Sequence, residues 1–295
     1  MAWFAFLASR GLIALSGEDA RSFLQGLVSN DVEKVAAGRA IYAALLTPQG
    51  KYLHDFFVAE ANGRLLIDAE TARLADLERR LTLYRLRAKV TIERVEGHVV
   101  AALWGENAPR TLTLPSDAGR EKPLGRGIAF ADPRLPHLGL RAILPQDEAE
   151  ATLSRLGFTR TEASAYDRHR LAIGVPDGSR DLEVEKSTLL ESNFEELHGV
   201  DFDKGCYVGQ ELTARTKYRG LVKKRLFPVT LDGPAPAPGT PVTLDGGDIG
   251  DMRSAADGYG LALLRLDCIE NALKGDRVLL AGGVRLRPTR PDWMS

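Results

Sequence analysis

The sequence predicts an α+β fold over its first three quarters and a small antiparallel β-barrel at its C-terminal end. Up to about residue 224, strand-like runs joined by hairpin turns are interspersed with amphipathic helical segments, which is not the βαβ alternation of a parallel sheet. From residue 225 onward, short apolar runs alternate with Gly, Pro and Asp turns, a pattern typical of a barrel. We therefore predict two domains, residues 1–224 and 225–295.

The first hundred residues contain the clearest local signals. Asn62-Gly63 stands between two alternating apolar runs and predicts a tight hairpin. Ser16 followed by Asp19 resembles a capping box, which predicts a helix start at that point. Leu74, Leu77 and Leu81 recur at helical spacing. Strands are predicted at residues 11–15, 41–47, 53–60, 65–68, 90–95 and 99–104, and a helix at residues 71–87.

The remainder divides into loops, two helices and the barrel. Residues 110–145 are rich in Pro, Gly and Arg and predict loops with short strands, and residues 147–156 and 163–173 predict helices. The proline-rich residues 234–239 follow a predicted strand, so we interpret them as a rigid loop inside the barrel. The predicted barrel strands are residues 226–231, 242–244, 259–266, 278–280 and 284–286.

Charge and composition exclude several classes of protein. The 39 basic and 40 acidic residues give a net charge of −1, which argues against a nucleic-acid partner. The apolar start lacks the basic segment of a signal peptide and is interrupted by Arg10, so secretion is not expected. No apolar run approaches membrane-spanning length, so no membrane partner is expected. Only two cysteines occur, which fits a reducing compartment, and we predict a cytoplasmic location. No spacing of Cys and His predicts a resident metal.

One thiol stands in an unusual setting. Cys206 lies between Gly205 and Gly209, with Lys204 two residues before it. In an extended segment Lys204 and Cys206 would share a face, and a nearby cation lowers the pKa of a thiol. The sequence therefore suggests a reactive Cys206 assisted by Lys204. A buried cysteine in a turn is the alternative.

The residues that follow suggest a ligand with polar edges and an anionic end. Tyr207 could stack on a ring, and Gln210 and Glu211 carry amide and carboxylate groups suited to a heterocycle. Six cations then occur within eleven residues with no acid among them. They form either a solvated face or a site for a carboxylate tail or phosphate. These cations are Arg215, Lys217, Arg219, Lys223, Lys224 and Arg225.

Residues 203–211, continuing to Arg215 and Arg219-Gly220, resemble the signature of the YgfZ-type folate-binding proteins. These are relatives of the glycine-cleavage T-protein and include a mitochondrial branch that assembles iron–sulfur clusters. The resemblance extends over most of the chain. Its weaker parts are residues 16–20, 23–26, 29–32, 47–51 and 170–176.

The resemblance implies a fold and a function. The fold is a T-protein-like ring of three parts, namely two interwoven α+β subdomains and the barrel, with tetrahydrofolate or another reduced folate in the central hole. The function is folate-dependent assembly or repair of iron–sulfur clusters, with transient binding to client or assembly proteins. In this interpretation Cys206 and Lys204 are the catalytic residues. The residues that bind the folate are Asn30, Asp55, Tyr207, Gln210, Glu211, Arg215 and Arg219.

The sequence departs from the aminomethyltransferases of that superfamily at two places. His54-Asp55 stands where those enzymes carry paired acids, and Ala172-Ile173 stands where they carry a glutamate before Gly174. Missing carboxylates would remove charged partners for the pteridine and for the transferred amine. A tetrahydrofolate-dependent aminomethyl- or methyltransferase is thus the second hypothesis. A non-catalytic module that docks a partner through the basic stretch is the third.

Overall fold

The computed structural model describes residues 1–115, 117–274 and 277–294, and these form two compact units. Unit 1 comprises Met1–Leu46, Leu53–Tyr166 and Leu197–Val208, and unit 2 comprises Thr47–Tyr52, Asp167–Glu196 and Gly209–Ser295. Neither unit is continuous in sequence. The domain boundary at residue 224 stays a prediction.

Strands and helices alternate along the first half of the chain. The strands are β1 (Trp3–Phe6), β2 (Arg10–Ser16), β3 (Ile41–Leu46), β4 (Tyr52–Ala61), β5 (Arg64–Glu70), β6 (Thr91–Arg94), β7 (His98–Trp104), β8 (Glu121–Leu124), β9 (Gly127–Ala131), β10 (Leu140–Pro145) and β11 (Thr159–Arg160). The α-helices are α1 (Ala20–Gln25), α2 (Leu74–Arg85), α3 (Ala108–Leu112), α4 (Ala149–Arg155) and α5 (Ala163–Ile173), and 3₁₀ turns occupy Val32–Ala37, Thr71–Arg73 and Pro136–Leu138.

The second half is built mainly from strands. It contains 3₁₀ turns at Gly178–Arg180 and Leu190–Ser192, helices α6 (Gln210–Tyr218) and α7 (Leu266–Leu273), and strands β12 (Lys224–Asp232), β13 (Pro241–Leu244), β14 (Gly247–Ala256), β15 (Tyr259–Arg265), β16 (Leu279–Ala281) and β17 (Val284–Pro288). None of the helices within the described ranges has the length and apolar character needed to cross a membrane.

Unit 1 contains two sheets. One has the order β3-β4-β5-β2-β6 and the other the order β11-β1-β7-β10-β9-β8, with only the β1–β11 pair parallel among the pairings described. The predicted hairpin is confirmed, because Asn62 and Gly63 have φ values of 52° and 70° between β4 and β5. Two positive φ values in a two-residue loop match the right-handed twist of the flanking strands.

The predicted capping box is wrong. Helix α1 begins at Ala20 without a side-chain cap, and the Asp19 carboxylate accepts a hydrogen bond of 2.7 Å from the backbone N–H of Lys89. Gly17 has a φ of +111°, and a Cβ there would lie 2.1 Å from the Lys89 carbonyl oxygen. The close approach of the chain around Lys89 therefore determines this turn, and it leaves Ser16 in β2.

Unit 2 contains the predicted barrel. Its strands close in the order β12-β15-β14-β13-β16-β17, and β12 pairs with both β15 and β17. The interior is apolar, with Phe227, Met252 and Leu286 each at most 1% exposed. The sequence missed β14 and α7. β14 is rich in Gly and Asp, so its strand conformation depends on pairing with β13 and β15 instead of on local propensity.

Candidate functional site

The segment that carries the thiol is anchored at both of its ends. We call residues 201–208 of unit 1 the cysteine loop. At its start the N–H of Asp201 donates to the carbonyl oxygen of Ser29 at 3.0 Å, and at its end the N–H of Val208 donates to the carbonyl oxygen of Gly26 at 3.2 Å. Both acceptors lie in the turn that follows α1. The loop is therefore held against one short stretch of unit 1.

The side chain of Lys204 adds a third attachment. Its Nζ donates to the carbonyl oxygens of Gln25, Val28 and Asn30 at 2.8, 2.6 and 2.8 Å. Helix α1 ends at Gln25, and a lysine ammonium at a helix C-terminus both satisfies the last carbonyls and complements the helix dipole. We call this arrangement the Lys204 clamp.

Burial and nearby carboxylates have opposite effects on the pKa of Lys204. Burial lowers the pKa of Lys204 to about 8, while the carboxylates of Asp31 and Asp201 oppose that change. Asp201 is itself ion-paired to Lys34, with 2.7 Å between Nζ and Oδ2. Burial acts to raise the pKa of Asp201, but the hydrogen bond from Lys34 helps to lower it overall. Near neutral pH the clamp therefore holds a charged ammonium close to two carboxylates.

Between these attachments the thiol is accessible. Cys206 is exposed, and a Cβ added to the neighbouring Gly205 would meet no atom within 4 Å. Tyr207 is only 9% exposed, and its ring centroid lies 5.1 Å from the Nζ of Lys204. The loop thus presents the thiol beside open space while its flanking side chains face the protein. The catalytic roles of Cys206 and Lys204 stay predictions, and the clamp indicates a positioning role for Lys204.

Two of the residues assigned to folate are buried and already bonded within unit 1. Asn30 is 4% exposed, and its Nδ2 donates to the carbonyl oxygens of Tyr42 and His198 at 2.8 and 2.7 Å. Asp55 is also 4% exposed, and it accepts a 2.8 Å hydrogen bond from the Tyr42 hydroxyl. These contacts suit residues that shape a binding site better than residues that hydrogen-bond directly to a ligand.

The other residues assigned to folate lie on a helix that the sequence did not predict. Helix α6 begins at Gln210, immediately after Gly209 with a φ of +82°. Glu211 and Arg215 are exposed and four residues apart, so they share a face, and Arg219 caps the helix. The segment has no apolar periodicity, which is why its helical character was missed. The exposed guanidinium groups of α6 fit an anionic ligand.

Part of the basic stretch stabilises unit 2 itself. Lys217 forms an ion pair with Glu195, and Arg225 forms one with Glu196. Arg225 also donates from Nε to the Asn193 side-chain oxygen at 2.9 Å. The predicted anion site therefore depends mainly on the exposed arginines of α6.

The sequence also missed a group of buried arginines in unit 1. Arg10 and Arg141 both bind the carboxylate of Asp68, at 2.7 and 2.9 Å, and all three side chains are at most 4% exposed. The guanidinium carbon of Arg141 lies 4.1 Å from the centroid of the Phe57 ring. One feature of the sequence could have indicated this group, because Arg141 interrupts the otherwise apolar run of β10. Removing one partner of a buried ion pair is strongly destabilising, so these residues support the unit that carries the thiol.

Two family models match the chain. Residues 7–161 match the GCVT N-terminal domain, and residues 223–295 match the CAF17 C-terminal beta-barrel domain. The chain is 36% identical to the human mitochondrial iron–sulfur cluster assembly factor IBA57, over 99% of this chain and 85% of the human protein. It is 37% identical to the mouse IBA57, over 92% of this chain and 80% of that protein. The chain belongs to the CAF17/IBA57-type GCVT family.

A solved structure shows the same fold. The glycine cleavage system aminomethyltransferase T from Bartonella henselae is similar with a TM-score of 0.80, over 99% of this chain and 86% of that one, at 18% identity. The predicted T-protein fold with a C-terminal antiparallel barrel is thereby confirmed. The barrel of this family member is closed by six strands.

The comparisons confirm one of the sequence-based predictions in part and contradict another. The chain's IBA57-type membership confirms the wider superfamily but not the specific YgfZ assignment. The cytoplasmic location is contradicted, because the human, mouse and fungal relatives are all named as mitochondrial. Scarce cysteines indicate a reducing compartment, and that signal alone does not single out the cytosol. Those relatives are named as iron–sulfur cluster assembly factors. Folate binding by this chain stays a prediction.

Proposed function

We propose that this protein is an iron–sulfur cluster assembly factor and that the thiol of Cys206 is the group that contacts the cluster. The observation that supports this is the exposed Cys206 on a loop held by Asp201, Val208 and the Lys204 clamp. A reactive group is most useful when its supporting residues are fixed before the partner arrives.

The chemistry of the thiol suits an iron cargo. A cysteine thiolate is a soft ligand, and it binds iron after the thiol proton has left. Within the described ranges, no three His, Cys, Asp or Glu side chains lie close enough together to hold a metal ion. Cys206 would therefore supply one ligand, and client or assembly proteins would supply the others. Such sharing fits transient contact during transfer of the cluster.

We also propose tetrahydrofolate, or another reduced folate, as a bound cofactor. Its support is the family resemblance of residues 203–211 together with the exposed arginines of α6. Arg215 and Arg219 can form forked hydrogen bonds with the carboxylates of a glutamate tail. Tyr207, Asn30 and Asp55 are buried, so their part would be to shape and orient the surroundings of the ligand.

A tetrahydrofolate-dependent aminomethyl- or methyltransferase is the alternative. The shared T-protein fold allows it, but His54 weighs against it. His54 is 3% exposed, and its Nε2 lies 2.9 Å from Asp76 Oδ2, a hydrogen-bond distance to a carboxylate that is ion-paired to Arg79 and Arg80. Burial lowers the pKa of His54 to about 4, which keeps the ring neutral at physiological pH. His54 therefore does not replace a second carboxylate beside Asp55.

The decisive experiment compares the two cysteines by complementation of a deletion strain. Cys206→Ser replaces a soft ligand with a hydroxyl, and we expect it to lower iron–sulfur enzyme activity at a normal protein level. Cys268 packs against the barrel core, and its Sγ lies 3.3 Å from Asp267 Oδ1. Cys268→Ser should keep activity and cost only some stability. Full rescue by Cys206→Ser would show that the thiol is dispensable.

A further inference from the structure

An exposed apolar group lies at the C-terminal end of α2 in unit 1. Leu83 and Leu86 are 64% and 88% exposed, and Tyr84 is 39% exposed. Single exposed apolar side chains are common on soluble proteins, but a group of them at one place marks a contact site. The function proposed for Cys206 makes no use of this group.

Leu86 is also held in an unfavourable backbone conformation. It follows the last residue of α2 with φ +45° and ψ −109°. Helices that end in a positive φ normally use glycine there, because a side chain clashes with the backbone. Leu86 is almost fully exposed, so packing inside the unit does not offset this strain. A strained residue at an exposed position points to a function outside the fold.

The chain after Leu86 is fixed instead of loose. The N–H of Lys89 donates to the Asp19 carboxylate at 2.7 Å, and the carbonyl of Lys89 packs against Gly17, where a Cβ would lie only 2.1 Å away. The N–H of Ala88 donates to the carbonyl oxygen of Arg85 at 2.8 Å. The leucine is therefore presented by an ordered backbone, which reduces the entropy lost when a partner binds.

Leu86 stands between two arginines, Arg85 and Arg87, in a basic stretch of the chain. Residues 79–89 contain five cations and no acid, namely Arg79, Arg80, Arg85, Arg87 and Lys89. Arg79 and Arg80 are ion-paired to Asp76, and Lys89 is ion-paired to Glu18 at the surface. In the part of the chain that the structure describes, Arg85 and Arg87 have no ion-pair partner, so these two guanidinium groups carry uncompensated charge. A shallow groove of about 530 Å³ lies beside Leu86, lined by Gly17, Glu18 and residues 85–91.

We propose that this basic leucine surface, residues 83–89, docks an acidic segment of a partner protein that carries an apolar side chain. Cations attract and orient an acidic segment, and the groove beside Leu86 accepts its apolar side chain. A second copy of this chain would place two basic surfaces in contact, which is repulsive. A nucleic acid would contact the arginines but would offer no apolar partner for the leucines. A flat anionic membrane would not fill the groove, and it would be repelled by the Glu18 carboxylate at the groove's edge.

The test uses a synthetic peptide with the stated chemistry. The probe is a short fluorescein-labelled peptide in which glutamates flank a central pair of leucines, and its binding to the full-length protein is measured by fluorescence anisotropy at low salt. We expect Leu86→Ser to weaken binding about tenfold, the loss expected for one buried leucine. The double variant Arg85→Glu/Arg87→Glu should abolish binding. A peptide with serines in place of the leucines should bind about tenfold more weakly to the wild-type protein.

Matched variants separate docking from folding. Arg155 and Leu156 are an exposed pair at the end of α4, so Arg155→Glu/Leu156→Ser should bind the peptide as the wild type does. Leu86→Gly removes the side chain and relieves the strain, so it should keep or raise the Tm and still weaken binding.

Three outcomes would overturn the proposal. The first is that the acidic peptide does not bind to the wild-type protein. The second is that the α4 double variant weakens peptide binding as much as the variants of residues 83–89 do. The third is that, in parallel measurements, residues 83–89 are needed only for binding to vesicles of anionic phospholipid or to single-stranded RNA. The proposal is independent of the Cys206 result, because none of these measurements involves the thiol.

Discussion

The Nζ of Lys204 lies 2.6 Å from the carbonyl oxygen of Val28, and this contact belongs to a set of three that holds the cysteine loop. A lysine two residues before a cysteine suggests activation of the thiol. Here the ammonium donates to backbone carbonyls, so its immediate effect is on the position of Cys206. The clamp thus connects a side chain of the motif to the C-terminal end of α1.

Lys204→Met should release the cysteine loop while keeping most of the aliphatic stem. It removes three charge-assisted hydrogen bonds, and we expect the free energy of unfolding to fall by about 1–3 kcal/mol. Hydrogen exchange followed by mass spectrometry should show faster exchange in residues 201–208. Lys223→Met, at an exposed lysine of unit 2, is the control. Unchanged exchange in the loop of Lys204→Met would show that the backbone anchors suffice.

His54 should make the stability depend on pH in the acid range. Its pKa falls from 6.5 in the unfolded chain to about 4 in the folded protein, because of burial first and the charge of Arg73 second. Between these values the unfolded state binds more protons, so the free energy of unfolding falls as the pH drops from 6.5 to 4. Urea unfolding between pH 4 and 6.5 should show that the free energy of unfolding depends less steeply on pH in His54→Gln than in the wild type. His137→Gln, at an exposed histidine, should keep the wild-type dependence.

Gly50 should be less replaceable than Gly63. Both have positive φ, +80° and +70°, but a Cβ on Gly50 would lie 2.6 Å from Leu212 Cβ, whereas one on Gly63 would meet no atom within 4 Å. Gly63→Ala should cost about 1–2 kcal/mol through backbone strain, and Gly50→Ala about 3 kcal/mol or more because it adds a clash with α6. Denaturant unfolding measures both. Equal losses would contradict the close approach of Gly50 to α6.

Folate binding should depend on the arginines of α6. Calorimetry with tetrahydrofolate should detect binding, and absence of binding at millimolar ligand would remove folate from the proposed function. Arg215→Ala and Arg219→Ala should weaken binding of a polyglutamylated folate more than binding of the monoglutamate, because only the longer tail offers extra carboxylates. Arg155→Ala, at an exposed arginine of α4 outside the basic stretch, serves as the control. If Arg215→Ala and Arg219→Ala abolish binding of RNA but leave the affinity for folate unchanged, the proposed anion site is wrong.

Elements with strong local signals were predictable. The Asn62-Gly63 hairpin has the one residue pair that best accepts two positive φ values. Helix α2 follows periodic apolar positions, and α5 lies in a segment whose alanine-rich composition favours a helix. β14 and α6 carry weak signals. The first is rich in glycine and aspartate, and the second is almost entirely polar, so pairing and packing decide their conformations.

The sequence by itself determined the class of fold, the barrel and the motif around Cys206, because turn residues, apolar periodicity and a rare combination of side chains are local properties. Only the tertiary structure decided what Lys204 contacts, that Asn30 and Asp55 are buried and bonded, and that Leu86 is strained and exposed. These features depend on backbone carbonyls and on residues distant in sequence. A backbone carbonyl has the same chemistry at every residue, so no sequence pattern shows which of them will meet an ammonium group.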